Sequence, residues 1–516
     1  MEESFNITIL SDLIGYRIDS MELLIEGFKD LSKKIKFEKK EVIQETITKL
    51  SLSGLFSLII SDGAPLNLTE AVAELLKIYF DTLSVEFLFT KEFRLYLING
   101  LSSSHIAVRE LTLDQLLRVD YGQEIPFDKE ILYLIFECLK FEEIIIADKA
   151  GLLIQAITKS EKNFESIMKD NEIIKKLERL TKNSITQIRT IELLLKLLLN
   201  QENQFELRFK LLQENLIVNQ LFPINLIKNQ SDLLLRLNLM ELYIKFIPDS
   251  NFQQLLLKNE ILEFLISSYP LTTIPAVNEW DPLLLTSDLK LIGLANSHLV
   301  QSNEITNLST KTINLFLFLL QQDINVELKI SCLKAITCMA QTYHGVLLLT
   351  NNHSLMKLLA NAFFYLVGDA RIIGLNCLSS IFGVDKQPNE KLSAGCEILT
   401  DYLQEYLKIP FDILRYCSNP SVEIKIAAYR LLYTISLHRF GCELIMNDKK
   451  SMDKLLDRNM ESELEGLKWK YSIINNLATN ASLNIISPQL KEQLDLYLKQ
   501  GIVYSTFAPR VELDMA

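Results

Sequence analysis

The side chains that most often do chemistry in proteins are few and scattered in this sequence. Seven cysteines and five histidines occur among 516 residues, and neither a C-x-x-C nor an H-x(3–5)-H spacing is present. Those spacings are what a local zinc site needs, so the sequence predicts no metal site and no cofactor. The cysteines are odd in number and lie in apolar segments, which predicts reduced core residues. They are Cys138, Cys332, Cys338, Cys377, Cys396, Cys417 and Cys442.

Sequence signatures of enzymes are also absent. The chain has no G-x-x-x-x-G-K-S/T phosphate loop, no G-x-G-x-x-G, no H-E-x-x-H and no G-x-S-x-G. The nearest acid pairs, Glu142 with Glu143 and Glu463 with Glu465, are adjacent or alternate and do not converge on one face of a helix. The sequence therefore predicts no enzyme, and an active site assembled from distant segments is the least favoured hypothesis.

The charge balance argues against a nucleic-acid partner. Lys and Arg total 53 and Asp and Glu total 65, which gives a net charge of −12 and a field that opposes a polyanion. One basic run, 33–40, contains five lysines, but Glu38 and Glu41 interrupt it. That spacing is typical of the solvated face of a helix.

The beginning of the sequence predicts a location. Residues 1–10 include two glutamates and no basic segment, so we expect no signal peptide. Apolar runs such as 191–199 (IELLLKLLL) are too short and too charged to cross a bilayer. We predict a cytoplasmic protein, with the nucleus as the alternative, and no membrane partner.

Helical periodicity runs through the whole chain. Apolar residues recur three and four positions apart, between short polar or Gly/Pro breaks, which predicts an all-α fold. Several helices share one signature, which in most copies is an apolar residue followed by Lys or Arg, with further apolar residues on the same face. We call this the anchor pair. It occurs at Val108-Arg109, Asp148-Lys149, Ile188-Arg189, Leu235-Arg236, Leu289-Lys290, Leu328-Lys329, Ile373-Gly374, Ile424-Lys425 and Trp469-Lys470.

The steps between successive anchor pairs are 40, 40, 47, 54, 39, 45, 51 and 45 residues. They centre on the repeat length of HEAT and armadillo arrays, ~40–47 residues. Helix pairs of that kind bury their apolar faces by stacking on their neighbours. The sequence therefore predicts an armadillo/HEAT-like α-α superhelical solenoid over residues 1–516. Capping helices are expected at about 1–50, a long inter-repeat loop at about 267–282 and a short tail at about 502–516.

The recurrent basic residue has two interpretations. It could form a ladder that binds a polyanion along one side of the array. We favour a structural role, in which each side chain bonds acids or carbonyls of the adjoining repeat while its stem is packed.

Six short segments resemble the 26S proteasome non-ATPase regulatory subunit 5 family, in order and in spacing. Four lie in the C-terminal third and two lie earlier. They are 441–447 (GCELIMN), 455–461 (LLDRNME), 470–478 (KYSIINNLA), 497–501 (YLKQG), 54–58 (GLFSL) and 326–333 (VELKISCL). Residues 200–310 add only the shared helical pattern, which leaves the partner-binding residues unassigned.

The resemblance implies a non-enzymatic chaperone for assembly of the base of the proteasome regulatory particle. Its solenoid is expected to bind the C-terminal domain of one ring ATPase, the one numbered one, together with the neighbouring ATPase and the large non-ATPase scaffold. Bound there, it is expected to hinder premature docking on the core particle. The chain by itself is expected to be a monomer.

The alternative hypothesis is a generic armadillo-type scaffold or transport adaptor that binds an extended peptide. Peptide-binding armadillo proteins resembling importins use regularly spaced Trp and Asn, whereas this chain has only Trp280 and Trp469.

Overall fold

The computed structural model describes most of the chain as helices joined by short turns. It covers residues 21–60, 63–121, 128–199, 204–215, 217–223, 227, 232–271, 277, 280–298, 303–321, 323–385, 387–480 and 487–503. Every regular element in these ranges is a helix, so the all-α prediction is confirmed. The chain divides into two compact units, Met1–Asn225 and Leu226–Ala516. A single continuous array over 1–516 stays a prediction.

The first unit contains thirteen described α-helices and a 3-10 turn at Val85–Phe89. The helices are α1 (Met21–Ile35), α2 (Lys40–Leu50), α3 (Leu52–Ile60), α4 (Leu66–Phe80), α5 (Lys91–Ser102), α6 (Ile106–Leu117), α7 (Lys129–Cys138), α8 (Ile144–Ile157), α9 (Glu161–Met168), α10 (Asn171–Lys182), α11 (Gln187–Leu199), α12 (Phe205–Glu214) and α13 (Val218–Leu221).

The second unit contains sixteen described α-helices and a 3-10 turn at Arg458–Met460. The helices are α14 (Leu233–Phe246), α15 (Ser250–Lys258), α16 (Ile261–Ser267), α17 (Pro282–His298), α18 (Asn303–Leu319), α19 (Val326–Met339), α20 (Tyr343–Thr350), α21 (His353–Tyr365), α22 (Asp369–Phe382), α23 (Glu390–Gln404), α24 (Phe411–Tyr416), α25 (Val422–Ile435), α26 (Arg439–Asn447), α27 (Lys449–Leu456), α28 (Leu464–Asn480) and α29 (Pro488–Gln500).

The helices that carry the anchor pairs pack side by side and parallel within each unit. We call them the anchor helices; in the second unit they are α14, α17, α19, α22, α25 and α28. Near the start of α17, the Thr286 hydroxyl hydrogen-bonds at 2.7 Å to Ser331, which lies near the start of α19. Further along, a Cβ on Gly293 would lie 2.7 Å from the Ala335 carbonyl oxygen, so this close approach requires glycine.

Helix starts follow the turn chemistry of the sequence. The Asn325 side chain accepts the Glu327 amide at 2.9 Å before α19, and the Ser421 hydroxyl accepts the Ile424 amide at 3.5 Å before α25. Gly368, with φ of 56°, precedes α22. Side-chain oxygens satisfy amides that have no partner in the first turn, so these residues set where the anchor helices begin.

The predicted boundary segments are described in part. Helices α1 and α2 occupy the predicted capping region, and residues 1–20 lie outside the described residues. The predicted loop at about 267–282 lies between the end of α16 at Ser267 and the start of α17 at Pro282. Because 272–276 and 278–279 lie outside the described residues, an extended loop there stays a prediction. Of the predicted tail, 504–516 lies outside them.

Candidate protein-interaction surface

The cysteines are core residues, and the described part of the chain holds no metal site. All seven cysteines are free, six are buried and Cys338 is half-buried, which confirms the core prediction. Burial raises the pKa of the Cys138 thiol to about 11 and that of the Cys396 thiol to about 12, so neither is a thiolate nucleophile at neutral pH. Among the residues that the structure describes, no group of His, Cys, Asp and Glu could hold a metal ion.

The recurrent basic residues are bonded inside the repeats. Arg109 is buried, donates through Nε to the Leu101 carbonyl at 2.9 Å and lies 3.5 Å from the centroid of the Phe141 ring. Lys149 donates to Glu110 at 2.8 Å and to Asp114. These contacts confirm the structural interpretation for the first two anchor pairs.

The same role recurs along both units. Arg189 donates to the Phe141 carbonyl at 2.7 Å, Lys290 pairs with Glu241 at 3.4 Å and Lys425 pairs with Glu461 at 3.4 Å. Because these side chains are already bonded within the protein, they are poorly placed to bind a polyanion. Lysines of the 33–40 run lie at the surface, where Lys33 pairs with Asp30 at 3.8 Å, as predicted for a solvated helix face.

Three anchor pairs contribute to two deeply buried charge clusters. Arg236 on α14 forms an ion pair with Asp288 on α17, and the Tyr269 hydroxyl donates to the same carboxylate at 2.7 Å. Asp288 is fully buried, and this desolvation raises the pKa of its carboxyl while Arg236 opposes the increase. These side chains are structural, because solvent and partners do not reach them.

The second buried cluster lies at the base of α28. Lys470 is fully buried and donates to the Asp457 carbonyl, and burial lowers its pKa to about 8. Glu461, also buried, accepts from Lys425 and from the amides of Ser462 and Glu463 at 2.9 Å. This cluster fixes the turn between α27 and α28.

A polar groove of 920 Å³ is open to solvent in the second unit. Its walls come from α23, α26 and α28. Three carboxylates, Glu390, Glu397 and Glu443, face one cation among the lining residues, Arg439, which pairs with Glu443 at 3.0 Å. The groove therefore carries a net negative charge. Asn475, Asn476 and Thr479 on α28 supply amide and hydroxyl groups on the opposite wall.

A buried histidine holds the walls of this groove together. His438 Nε2 donates to the Phe382 carbonyl at the end of α22 at 2.8 Å, and Nδ1 accepts from the Ser393 hydroxyl of α23 at 3.1 Å. Burial lowers the pKa of His438, so the ring is neutral at pH 7 and can accept at one nitrogen while donating at the other. His438 thus positions α23 against the turn before α26.

Comparison with known proteins identifies the family of this chain. A family model described as proteasome non-ATPase 26S subunit matches residues 11–514. The chain belongs to this family. A search of curated protein sequences found no match.

Karyopherins of known structure have a fold similar to that of this chain. The karyopherin Kap121p, bound to the extreme C-terminus of the protein phosphatase Cdc14p, superposes with a TM-score of 0.52 and 13% identity, over 97% of this chain and 54% of that one. Kap95p, which induces the switch loops of RanGDP to adopt the GTP-bound conformation, gives 0.50 and 12% identity, over 96% and 65%. The fold is an armadillo/HEAT-like α-α solenoid, as the repeat length predicted.

Sequence reasoning left the groove residues unassigned. Glu390 and Glu397 are seven positions apart and so lie on one face of a predicted helix, which was the one available signal. Their approach to Glu443 and Asn475, about 50 and 80 residues away, arises from stacking of successive repeats and cannot be read from local spacing.

In the described part of the chain, no helix is both long enough and apolar enough to span a bilayer.

Proposed function

We propose that the chain is a non-enzymatic assembly chaperone for the base of the 26S proteasome regulatory particle. The family match over residues 11–514 carries this proposal. The resemblance of segments 441–447 and 470–478 to the subunit 5 family narrows it to a chaperone. The proposed partners are the C-terminal domain of the ring ATPase numbered one, its neighbouring ATPase and the large scaffold subunit, in the cytoplasm or nucleus.

The polar groove is the surface that we assign to the ATPase domain. Its three carboxylates are opposed by one arginine, so a partner that presents lysine or arginine would gain complementary charge there. The exposed side-chain amide of Asn475 can bond main-chain groups of the same partner. The proposed mechanism is steric. While this chain is bound to the ATPase domain, it blocks docking of that domain on the core particle, until later assembly steps displace the chain.

A binding assay with matched charge reversals tests this assignment. We expect Glu397→Lys to weaken binding of the isolated C-terminal domain of that ATPase by tenfold or more, because it places a cation in a negatively charged groove. Asp401→Lys is the control, since Asp401 is exposed on the same helix and does not line the groove. Equal loss from both variants would contradict the groove as the binding surface.

Native affinity purification of the tagged chain at low and moderate salt tests the function itself. We expect ring ATPases and the large scaffold subunit to be enriched, with little core particle. Recovery of transport factors with cargo, or of no proteasomal ATPase, would favour the alternative of a generic scaffold or transport adaptor.

A further inference from the structure

A row of exposed aliphatic side chains follows one edge of the second unit. Each anchor helix of this unit has one such residue in its first turn or just before it, and each is between 44% and 74% exposed. We call these residues the N-terminal ridge. They are Leu234, Leu283, Val326, Val367, Val422 and Leu464.

The parallel stacking of the anchor helices puts these residues in sequence along a single edge. Glu241 and Lys290 pair at equivalent positions of α14 and α17, and Thr286 meets Ser331 near the starts of α17 and α19. Cys377 on α22 lies close to Thr337 on α19.

Contacts further along the unit continue the alignment. Gly383, just after α22, lies against Thr434 near the end of α25, and Asn476 of α28 donates at 3.0 Å to Ser436, just after α25. Neighbours aligned in this way have their first turns side by side.

Packing inside the unit does not explain the ridge. Single exposed aliphatic residues are common, but their recurrence at the N-terminal end of all six anchor helices lines one edge with apolar side chains, as at an interaction site. Val367 lies in the turn before α22 and is the most exposed residue of the ridge, so neither helix formation nor core packing accounts for an aliphatic side chain there. The exposed aromatic residues Phe364 and Tyr365 precede it and widen the ridge at this point.

Carboxylates border the ridge on the same turns. Seven are exposed, and one of them, Asp323, attracts the half-buried Lys329 of α19. An acid in a first turn offsets a helix dipole of about half a unit charge, so seven carboxylates on five helices exceed the charge that the dipoles alone would balance. They are Asp281, Asp323, Glu327, Asp369, Glu423, Glu463 and Glu465.

The spacing of the ridge selects the shape of its partner. Packed helices lie about 8–10 Å apart, so one ridge residue follows another at that interval. Along an α-helix, residues seven apart are separated by about 10.5 Å. We propose that the N-terminal ridge binds a basic amphipathic helix of a partner protein, which lies across the anchor helices, places an apolar residue of each heptad on the ridge and pairs flanking lysines or arginines with the bordering carboxylates. This inference does not depend on the proposed chaperone function.

A synthetic probe tests the proposal on the full chain. The probe is a fluorescent amphipathic helix of about four heptads with leucine on one face and lysine beside it, and its comparison peptide has glutamate in place of every lysine. Fluorescence polarisation would measure the affinity of each peptide. We expect the lysine peptide to bind at least tenfold more tightly than the glutamate peptide.

Matched double variants locate the binding surface. We expect Val326→Gln with Val422→Gln to weaken binding of the lysine peptide at least tenfold. The control, Leu95→Gln with Leu152→Gln, removes equally exposed aliphatic residues of the first unit and should change affinity less than twofold. Unchanged binding by the ridge variant, or equal binding of both peptides to the parent chain, would overturn the proposal. Ridge-dependent sedimentation with phosphatidylserine vesicles would also overturn it, because the occupant would then be a lipid surface.

Discussion

Arg458 lies over the ring of Tyr497, with its guanidinium carbon 3.2 Å from the ring centroid. The same guanidinium donates to the carbonyls of Tyr497 and Gly501, the latter at 2.8 Å. One side chain thus fixes the last described helix, α29, to the turn after α27.

Replacement of this arginine should loosen α29 in particular. We expect Arg458→Ala to lower the free energy of unfolding by about 2–3 kcal/mol, because charge-assisted bonds and a cation–π contact are lost together. Hydrogen exchange should rise in residues 488–500. Arg415→Ala is the control, since Arg415 is exposed and its contact with Asp412 is 3.7 Å, and it should cost about 0.5 kcal/mol or less. Equal effects of the two variants would show that Arg458 does not hold the helix.

The buried Lys470 predicts a stability that increases in alkaline solution. Burial lowers its pKa from 10.5 to about 8, so between these values the unfolded chain keeps a proton that the folded chain has released. Stability therefore rises with pH in this window. Relative to Lys470→Met, the parent should gain about 2–3 kcal/mol between about pH 8 and about pH 10, measured by urea unfolding. The exposed Lys468→Met should reproduce the parent; a Lys470→Met chain with the parent's pH slope would contradict the burial.

The Arg236–Asp288 pair predicts a large cost when one charge is removed. We expect Arg236→Met to destabilise the second unit by about 3–5 kcal/mol, because it leaves a buried carboxylate without its cation. Asp288 already has a raised pKa, so between its usual and its folded pKa the folded chain holds a proton that the unfolded chain releases, and stability falls as pH rises.

The same variant therefore has a pH signature. Loss of Arg236 raises the pKa of Asp288 further, so the penalty should be larger at about pH 7 than at about pH 5. Denaturant titrations at both values measure it. Lys290→Met, which removes a partly exposed pair with Glu241, should cost about 1 kcal/mol or less at either pH. A penalty for Arg236→Met that does not depend on pH would argue against an ionised Asp288.

His438 predicts an acid-sensitive groove. Its pKa is lowered by burial, so below its usual pKa near 6.5 the unfolded chain takes up a proton that the folded chain does not. Stability should therefore fall as pH decreases from about 7 to about 5. In His438→Gln this pH dependence should be smaller, with a loss of about 1–3 kcal/mol at neutral pH from the broken bonds to Phe382 and Ser393. The exposed His353→Gln is the control and should keep the parent's slope.

Local sequence was sufficient for the elements and for the role of the anchor residues. Asn325 and Ser421 cap α19 and α25, and such caps are local, because a cap needs only a polar side chain two or three residues from the amide that it accepts. The anchor cations were expected to bond within adjoining repeats, and Lys149 and Arg189 do so. Their partners could not be chosen from the sequence, since they lie 35–48 residues away.

By itself, then, the sequence determined an all-α protein built of repeats about 40–47 residues long. Helical periodicity and the anchor spacing are local properties that recur in every repeat. The tertiary structure alone decided which side chains share a surface. Glu397 and Asn475 meet across the polar groove, and Val326 and Val422 lie on one ridge, only because successive anchor helices stack in parallel. Burial of one apolar face per helix drives that stacking. Which exposed residues of different helices then lie side by side depends on how the neighbouring helices pack.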